Sequence, residues 1–174
     1  MPGAGPASDA GYDSVVDPPD ADSVDGWPLP LRGVTESVVT TLGPNDLWNL
    51  AALGLHAPTG AGDPTHDDPV TATTWGNTRT RRNFHRRGGG VVQFVSDPRT
   101  FVDAALTIRE FEDPVLPDAH AWVEVRAERV DAGEDGGTRW EEWRLHPVAA
   151  AVTDPAVPRI NRGFAATIEA TVAA

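Results

Sequence analysis

The pattern of hydrophobic and polar positions predicts a chain built mainly of β-strands joined by tight turns. Residues 34–42 are rich in β-branched side chains and end at the turn sequence Gly43-Pro44-Asn45-Asp46, and residues 47–56 form the second arm of a hairpin. Residues 119–130 alternate apolar and polar side chains, as a half-buried strand does. Further strands are predicted at residues 70–75, 91–96 and 139–146, the last of them after a loop at residues 131–137. Antiparallel hairpins with only short helices between them favour a β-barrel.

Two segments outside these strands carry helical signals. Asp97 and Pro98 suit the cap and the first position of a helix. At the end of the chain, apolar side chains recur every four residues and predict a helix from Asn161 onward; they are Ile160, Phe164, Ile168 and Val172. The chain stops at Ala174 without a glycine or basic residue that would mark a helix end, as expected of a truncated helix or a short natural terminus.

The first 26 residues differ in composition from the rest of the chain. They hold six aspartates, no basic residue and many Pro, Gly, Ala and Ser residues. Such a segment buries too little apolar surface to offset the entropy lost on ordering. We therefore expect a disordered acidic tail at residues 1–26 and one barrel domain at residues 27–174 that ends in the helix.

The charge of the chain points to a salty cytoplasm. There are 26 acidic residues against 14 basic ones, all arginine, which leaves a net charge of −12. In molar salt the Debye length is about 3 Å, so crowded carboxylates repel one another little and keep the surface hydrated. This balance predicts a halophilic host, although a GC-rich genome also favours arginine over lysine. The negative charge argues against nucleic-acid binding.

Several other classes of protein are disfavoured. Cysteine is absent, which excludes disulfides and zinc sites built on thiolates. The longest apolar run, residues 148–152, is too short to span a membrane, and no targeting signal is visible, so we expect a cytoplasmic protein without a membrane partner. No metal site is predicted, because the group formed by His56, His66, Asp67 and Asp68 matches no known ligand spacing.

The segment from Trp75 to Phe84 carries the clearest chemical signal. It links a predicted strand to a short helix that the glycines at 88–90 would end, and Thr78 or Thr80 can cap that helix. Free backbone amides, hydroxyl groups and the Arg79 guanidinium together make an anion site suited to a phosphomonoester. Arg79 at the start of the helix opposes the helix dipole unless an anion is bound. For Arg86 and Arg87, late in the helix, a structural role on a solvated face is favoured.

Several segments, in order and spacing, resemble the archaeal "domain of unknown function 447" family. They are residues 37–41, 49–54, 78–84, 91–98 and 161–170, within a match from about residue 32 to the end of the chain. That family is similar to FMN-binding split barrels of the flavin reductase-like superfamily, which are typically homodimers that hold flavin at their interface. The resemblance therefore implies a mainly β split barrel with short helices, a homodimer and a bound flavin.

The resemblance also implies a set of binding residues. The strand at 49–54 would lie along the isoalloxazine ring through Asn49, Ala51, Leu53 and Gly54. The following segment would hold the ribityl phosphate through Asn77, Thr78, Arg79, Thr80 and Asn83. Trp75, beside the phosphate segment, is a candidate to flank the ring, although tryptophans also serve as core or interface anchors.

Two kinds of function fit this reading. The first is an FMN-dependent oxidoreductase or flavin reductase of unknown substrate, in which the flavin accepts hydride and the protein supplies binding and orientation. This mechanism requires no side-chain acid or base, and no catalytic residue is assigned. A close variant binds the archaeal deazaflavin cofactor instead of FMN. The second is a non-catalytic, dimeric flavin- or deazaflavin-binding module, because a fold alone does not settle function.

Overall fold

The computed structural model describes Ser14, Val16 and residues 22–58, 69–155 and 162–174. The regular elements follow one another along the chain as β1 (Asp22–Ser23), β2 (Val34–Leu42), β3 (Trp48–His56), β4 (Val70–Trp75), α1 (Arg79–Arg87), β5 (Gly89–Val95), α2 (Pro98–Leu106), β6 (Arg109–Phe111), β7 (Ala119–Asp135), β8 (Thr138–Val152) and α3 (Arg162–Val172). Strands and helices thus lie where the hydrophobic pattern predicts them, and only the very short β1 and β6 were not anticipated.

Six of the strands close into an antiparallel barrel. Hydrogen-bonded neighbours run in the order β8, β4, β3, β2, β5 and β7, and β7 pairs with β8 to complete the ring. The predicted hairpin of β2 and β3 is in continuous register from Val34 opposite His56 to Leu42 opposite Trp48. Closure leaves few free strand edges, so the apolar side chains that face inward are covered on all sides.

The hairpin of β7 and β8 is longer than the sequence suggests. The pairing continues to Asp135 opposite Thr138, so the predicted loop at residues 131–137 is wrong except at its tip. There Gly136 and Gly137 have φ angles of 54° and 82°, as the two-residue turns that match strand twist require. Polar composition hid this extension, because both strands here are largely exposed and need no apolar alternation.

The barrel is open between β3 and β4. These strands pair only at Leu55 opposite Ala72 and at His56 opposite Thr71. Beyond this point β4 follows β8 as far as Trp75, while β3 pairs with β6 at Trp48–Leu50. Residues 51–54 of β3 therefore have a partner on the β2 side and none on the other side among the strands described. This gap positions the candidate site.

Residues before Trp27 also contact the barrel. Asp22 and Ser23, within the segment predicted to be a disordered tail, form β1 opposite Val152 and Ala151 of β8. Val16 is buried in a cluster with Trp48 and Trp122, and Ser14 donates a hydrogen bond to Glu124 at 2.6 Å. Residues 1–13, 15 and 17–21 of the predicted tail lie outside the part that the structure describes.

Helices α2 and α3 cover one side of the barrel together. Asp97 caps α2 as predicted, since its carboxylate accepts the Arg99 amide at 2.9 Å and Pro98 occupies the first turn. Phe101 of α2 meets Phe164 of α3 edge to face, with ring centroids 6.5 Å apart. The predicted C-terminal helix is thus confirmed from Arg162, while Ile160 and Asn161 lie outside the described residues. None of the helices described is long and apolar enough to cross a membrane.

Candidate flavin-binding cleft

A cleft of about 550 Å³ opens where β3 and β4 separate. Five consecutive residues of β3, Asn49 to Leu53, form its floor, and Thr73 to Trp75 of β4 form one side. The start of α1 and the end of α2 close the other sides. Because the β4 side of residues 51–54 lacks a strand partner, backbone amides and carbonyls of alternate residues face the cleft. The cleft therefore offers hydrogen bonds that depend on no side chain.

The amino end of α1 points its free backbone amides at this cleft. Thr78 caps the helix, accepting the Arg81 amide at 3.3 Å, and the first intrahelical bond runs from Arg82 to the Thr78 carbonyl. The amides of Arg79 and Thr80 precede that bond and have no partner within the helix. Thr80 follows in the first turn and lines the cleft, although it is largely buried. The start of α1 is therefore the candidate for the predicted anion site.

The far end of α1 also follows the sequence prediction. Gly88 ends the helix with a φ of 78°, a left-handed conformation that glycine adopts at little cost, and its amide donates to the Phe84 carbonyl at 2.9 Å. The helix is therefore only nine residues long, and both of its ends are determined by local sequence.

Two arginines border the anion site. Arg79 Nη1 lies 2.6 Å from Oε1 of Glu110, which stands on β6 opposite Asn49. Arg82 Nη1 donates to the carbonyl of Asn77 at 2.7 Å and so holds the loop that precedes the helix. The Arg79 guanidinium is thus paired with a carboxylate of β6.

Apolar side chains supply the rest of the cleft wall. Trp75 is 50% exposed at the end of β4, and Ala104, Ala105 and Ile108 line the cleft from α2 and the residues after it. A flat aromatic ligand suits such a wall, because it can lie against apolar surface while its edge meets the open strand.

Eight of the ten residues assigned to the flavin from sequence line this cleft. They are Asn49, Ala51, Leu53, Trp75, Asn77, Thr78, Arg79 and Thr80. Gly54 does not line it; a Cβ there would approach Val34 and Glu36 instead.

Asn83 also lies outside the cleft, and its amide is already engaged. Its Nδ2 donates to the hydroxyl of Thr41 at 3.0 Å, and its Oδ1 accepts from Arg86 at 2.7 Å. It is buried between α1 and β2. Asn83 thus fastens the helix to the barrel, and the structure offers no free donor of its side chain to a phosphate.

A buried ion-pair cluster holds the opposite face of α1 on the barrel. Glu141 of β8 is 6% exposed, and its carboxylate lies 3.0 Å from Arg81 and 2.7 Å from His85. His85 also packs edge to face on Trp143, with ring centroids 5.0 Å apart. Burial opposes ionisation of Glu141, but the hydrogen bonds from His85 and Arg81 outweigh it and hold the pKa of Glu141 below its ordinary value. The start of α1 is therefore positioned from behind as well as by its cap.

Sequence reasoning missed the cleft residues that come from α2 and the segment after it. Ala105, Thr107 and Ile108 line the cleft because α2 packs against β3, and Glu110 of β6 lies beside it, bonded to Arg79. A three-residue strand has too short a pattern to be recognised. Within the described part of the chain, no three His, Asp or Glu residues converge as metal ligands would, and His66, Asp67 and Asp68 lie outside that part.

Comparison with known proteins shows which family model and which solved structures this chain resembles. The family model described as "Protein of unknown function (DUF447) N-terminal domain" matches residues 35–154. The structure of an FMN-bound protein of this family from Methanosarcina mazei superposes with a TM-score of 0.64 at 22% identity, over 82% of this chain and 74% of that one. The predicted fold, a mainly β split barrel, is thereby confirmed.

Weaker similarity extends to two proteins of monooxygenase systems. The flavin reductase of styrene monooxygenase from Pseudomonas putida S12 has a TM-score of 0.44 at 13% identity, over 70% of this chain and 82% of that one. Component B of nitrilotriacetate monooxygenase from Mycobacterium thermoresistibile has a TM-score of 0.45 at 12% identity, over 72% and 73%. No curated protein matches the sequence.

Proposed function

The chain belongs to the DUF447 family of proteins of unknown function, and we propose that it binds FMN in the cleft between β3 and β4 as a flavin-dependent oxidoreductase. One observation carries this proposal. The cleft joins a capped helix start to an open strand edge and an apolar wall, which match the phosphate, the polar ring edge and the ring face of a flavin. Its volume of about 550 Å³ lies within the usual range for small-molecule sites. The FMN-bound relative from Methanosarcina mazei supports the choice of ligand.

The phosphate of FMN belongs at the start of α1. Two free amides, the Thr80 hydroxyl and the positive end of the helix dipole would surround it, and Arg79 and Arg82 add positive charge at the border. Arg79 can turn from Glu110 to the phosphate because its side chain is 40% exposed. Thr78 remains the helix cap and acts on the ligand through the backbone that it fixes.

The ring belongs over β3. The unpaired side of residues 51–54 can bond the polar edge of an isoalloxazine, and Ala51 and Leu53 can support its face. Trp75 and Ile108 would then shield the ring from water on the outer side. These contacts would hold the edge and the faces of the ring without a bond to its reactive centre.

The lining of the cleft suits chemistry that the cofactor performs. Bound FMN would supply hydride transfer, while the chain binds it, orients it and limits the access of water. Every polar side chain on the lining belongs to Asn, Thr, Trp or Arg, and no Asp, Glu, His or Lys is among the lining residues. This supports a reaction in which no side chain must exchange a proton, and a deazaflavin cofactor would place the same demands on the chain.

A flavin carrier without catalysis is the second candidate, because the same lining fits it equally. The two are separated by adding a chemical hydride donor such as NADH to the FMN-loaded protein. Oxidation of the donor faster than with free FMN supports an oxidoreductase, whereas tight FMN binding without acceleration identifies a carrier.

Replacing Thr80 with Ala tests the phosphate site. We expect Thr80→Ala to weaken FMN binding about ten- to hundredfold, since it removes a hydrogen bond to a charged group. Riboflavin lacks the phosphate, so its affinity should change little. Fluorescence titration of both ligands measures this, with Arg87→Ala as the control, because Arg87 is exposed and pairs with Asp46 at 3.3 Å away from the cleft. Equal losses for both ligands would place the phosphate elsewhere.

Exposed apolar side chains beside the cleft favour a homodimer. Trp75, Leu106 and Ile108 are 50%, 57% and 70% exposed. Large apolar side chains that are exposed near one another mark a surface that another protein chain covers. Light scattering in molar salt should give twice the mass of one chain, and Ile108→Glu should give a single chain. Val148→Glu, on β8, is the control and should remain dimeric. A wild-type monomer that binds FMN would contradict a site at a dimer interface.

A further inference from the structure

The arginines of α1 divide into two groups. Arg79, Arg81 and Arg87 lie within 4.0 Å of the carboxylates of Glu110, Glu141 and Asp46, respectively. Arg82 and Arg86 have no carboxylate within that distance among the residues described, and their only bonds shown there are to the neutral oxygens of Asn77 and Asn83. In a chain with 26 acidic and 14 basic residues, two neighbouring cations without a counter-ion are unexpected.

Arg82 and Arg86 are four positions apart and therefore share one face of the helix. Like charges at this spacing destabilise a helix, and an anion bound between them would offset their repulsion. Arg86 is further held in place, because Oδ1 of Asn83 accepts its Nη1 at 2.7 Å and Asn83 is itself bonded to Thr41. A solvated arginine needs no such support.

This face borders a second pocket of about 340 Å³, between α1 and the turn that joins β2 to β3. Three arginines line it, Arg79, Arg82 and Arg86, together with three asparagines, Asn45, Asn49 and Asn83. Glu110 is the single acid on the lining and is already bonded to Arg79. The pocket is adjacent to the flavin cleft, since Asn49, Arg79 and Arg82 line both.

We propose that this arginine pocket, formed by Arg79, Arg82, Arg86, Asn45 and Asn49, is a second anion subsite that binds a phosphoryl group other than the FMN phosphate. Only the idea that this subsite acts beside a bound flavin depends on the proposed function; anion binding in the pocket does not. Guanidinium groups offer forked donors that match phosphoryl oxygens, and each here has N–H groups beyond those in the bonds described. This proposal gives Arg86 a binding role in place of the structural role on a solvated face that the sequence favoured.

The test is titration calorimetry with inorganic pyrophosphate at constant ionic strength. Pyrophosphate should bind the wild type and Arg87→Gln alike, and Arg86→Gln about ten- to hundredfold more weakly, since a charge-assisted bond is lost. Arg87 is the matched control, because it is the next residue, equally basic and 43% exposed, but directed to Asp46. Equal affinities for the three proteins, or no binding to the wild type, would overturn the proposal.

A second series with FMN separates this subsite from the flavin site. Saturating FMN should leave pyrophosphate binding intact, and Arg86→Gln should leave FMN affinity unchanged. Competition between FMN and pyrophosphate, with equal losses for both in Arg86→Gln, would make the pocket the flavin's own phosphate site and refute a second one. If the wild type binds pyrophosphate through Arg86 but never binds FMN, the proposed flavin function fails while the subsite stands.

Comparison of FMN with FAD identifies the molecule that carries the phosphoryl group. A selective loss of FAD affinity in Arg86→Gln supports the subsite as the place of a dinucleotide's second phosphate. An unchanged FAD affinity, together with Arg86-dependent pyrophosphate binding, supports a separate phosphorylated ligand.

Discussion

Dilution from molar salt to tens of millimolar is expected to unfold the protein or dissociate it. The net charge of −12 repels itself over a Debye length that grows from about 3 Å at 1 M to about 30 Å at 0.01 M. The structure adds a local cause, because Asp131 of β7 stands directly opposite Glu142 of β8 in the sheet. Like charges in such a cross-strand pair destabilise the hairpin, and salt screens them.

Melting temperatures followed by circular dichroism across a KCl series measure this effect. The double variant Asp131→Asn, Glu142→Gln should require less salt than the wild type to reach the same melting temperature, because it removes the opposed pair. A melting temperature that stays constant or rises on dilution would show that the acidic surface is not an adaptation to salt.

Glu141→Gln is expected to cause a large loss of stability. Removing one partner of a buried ion pair costs about 3–5 kcal/mol, because the charge left behind loses its compensation. Here Arg81 would lose its counter-ion and His85 a hydrogen-bond partner; because both are partly exposed, we expect a loss of about 3 kcal/mol. For a chain of this length the melting temperature should fall by roughly 6–12 °C. Glu142→Gln is the matched control, since Glu142 is the next residue of β8 and lies on its other face.

The contribution of Glu141 should also depend on pH. Its pKa is lower in the folded protein than the ordinary value of 4.5, so ionisation stabilises the fold. The contribution is complete above pH 4.5 and is lost as the pH falls through the folded pKa. The difference in unfolding free energy between wild type and Glu141→Gln should therefore shrink in acid. If the difference in unfolding free energy stays constant from neutral pH to well below pH 4.5, Glu141 is not ionised in the folded protein.

The elements predicted correctly from sequence are those that local chemistry determines. The turn at Gly43–Asp46 and the β-branched residues before it are enough to define the hairpin of β2 and β3. Thr78, Asp97 and Gly88 determine helix ends through bonds to residues within four positions of themselves. The eight predicted residues that line the cleft belong to two such segments, and their link to flavin came from family resemblance.

Tertiary structure decided everything that depends on distant partners. The gap between β3 and β4 arises because β4 pairs with β8, more than 60 residues later in the chain, while β3 pairs with β6. The local sequence of β3 or β4 does not indicate these partners. Glu141 carried no signal in the sequence, but burial against α1 makes it an anchor. Arg86 was assigned to a solvated face, but the lack of a carboxylate partner among the described residues marks it as a candidate ligand. Local sequence preferences determine where the helices and strands of this protein form. Which side chains meet at the cleft depends on how the strands pair, and that pairing is fixed only when the whole barrel closes.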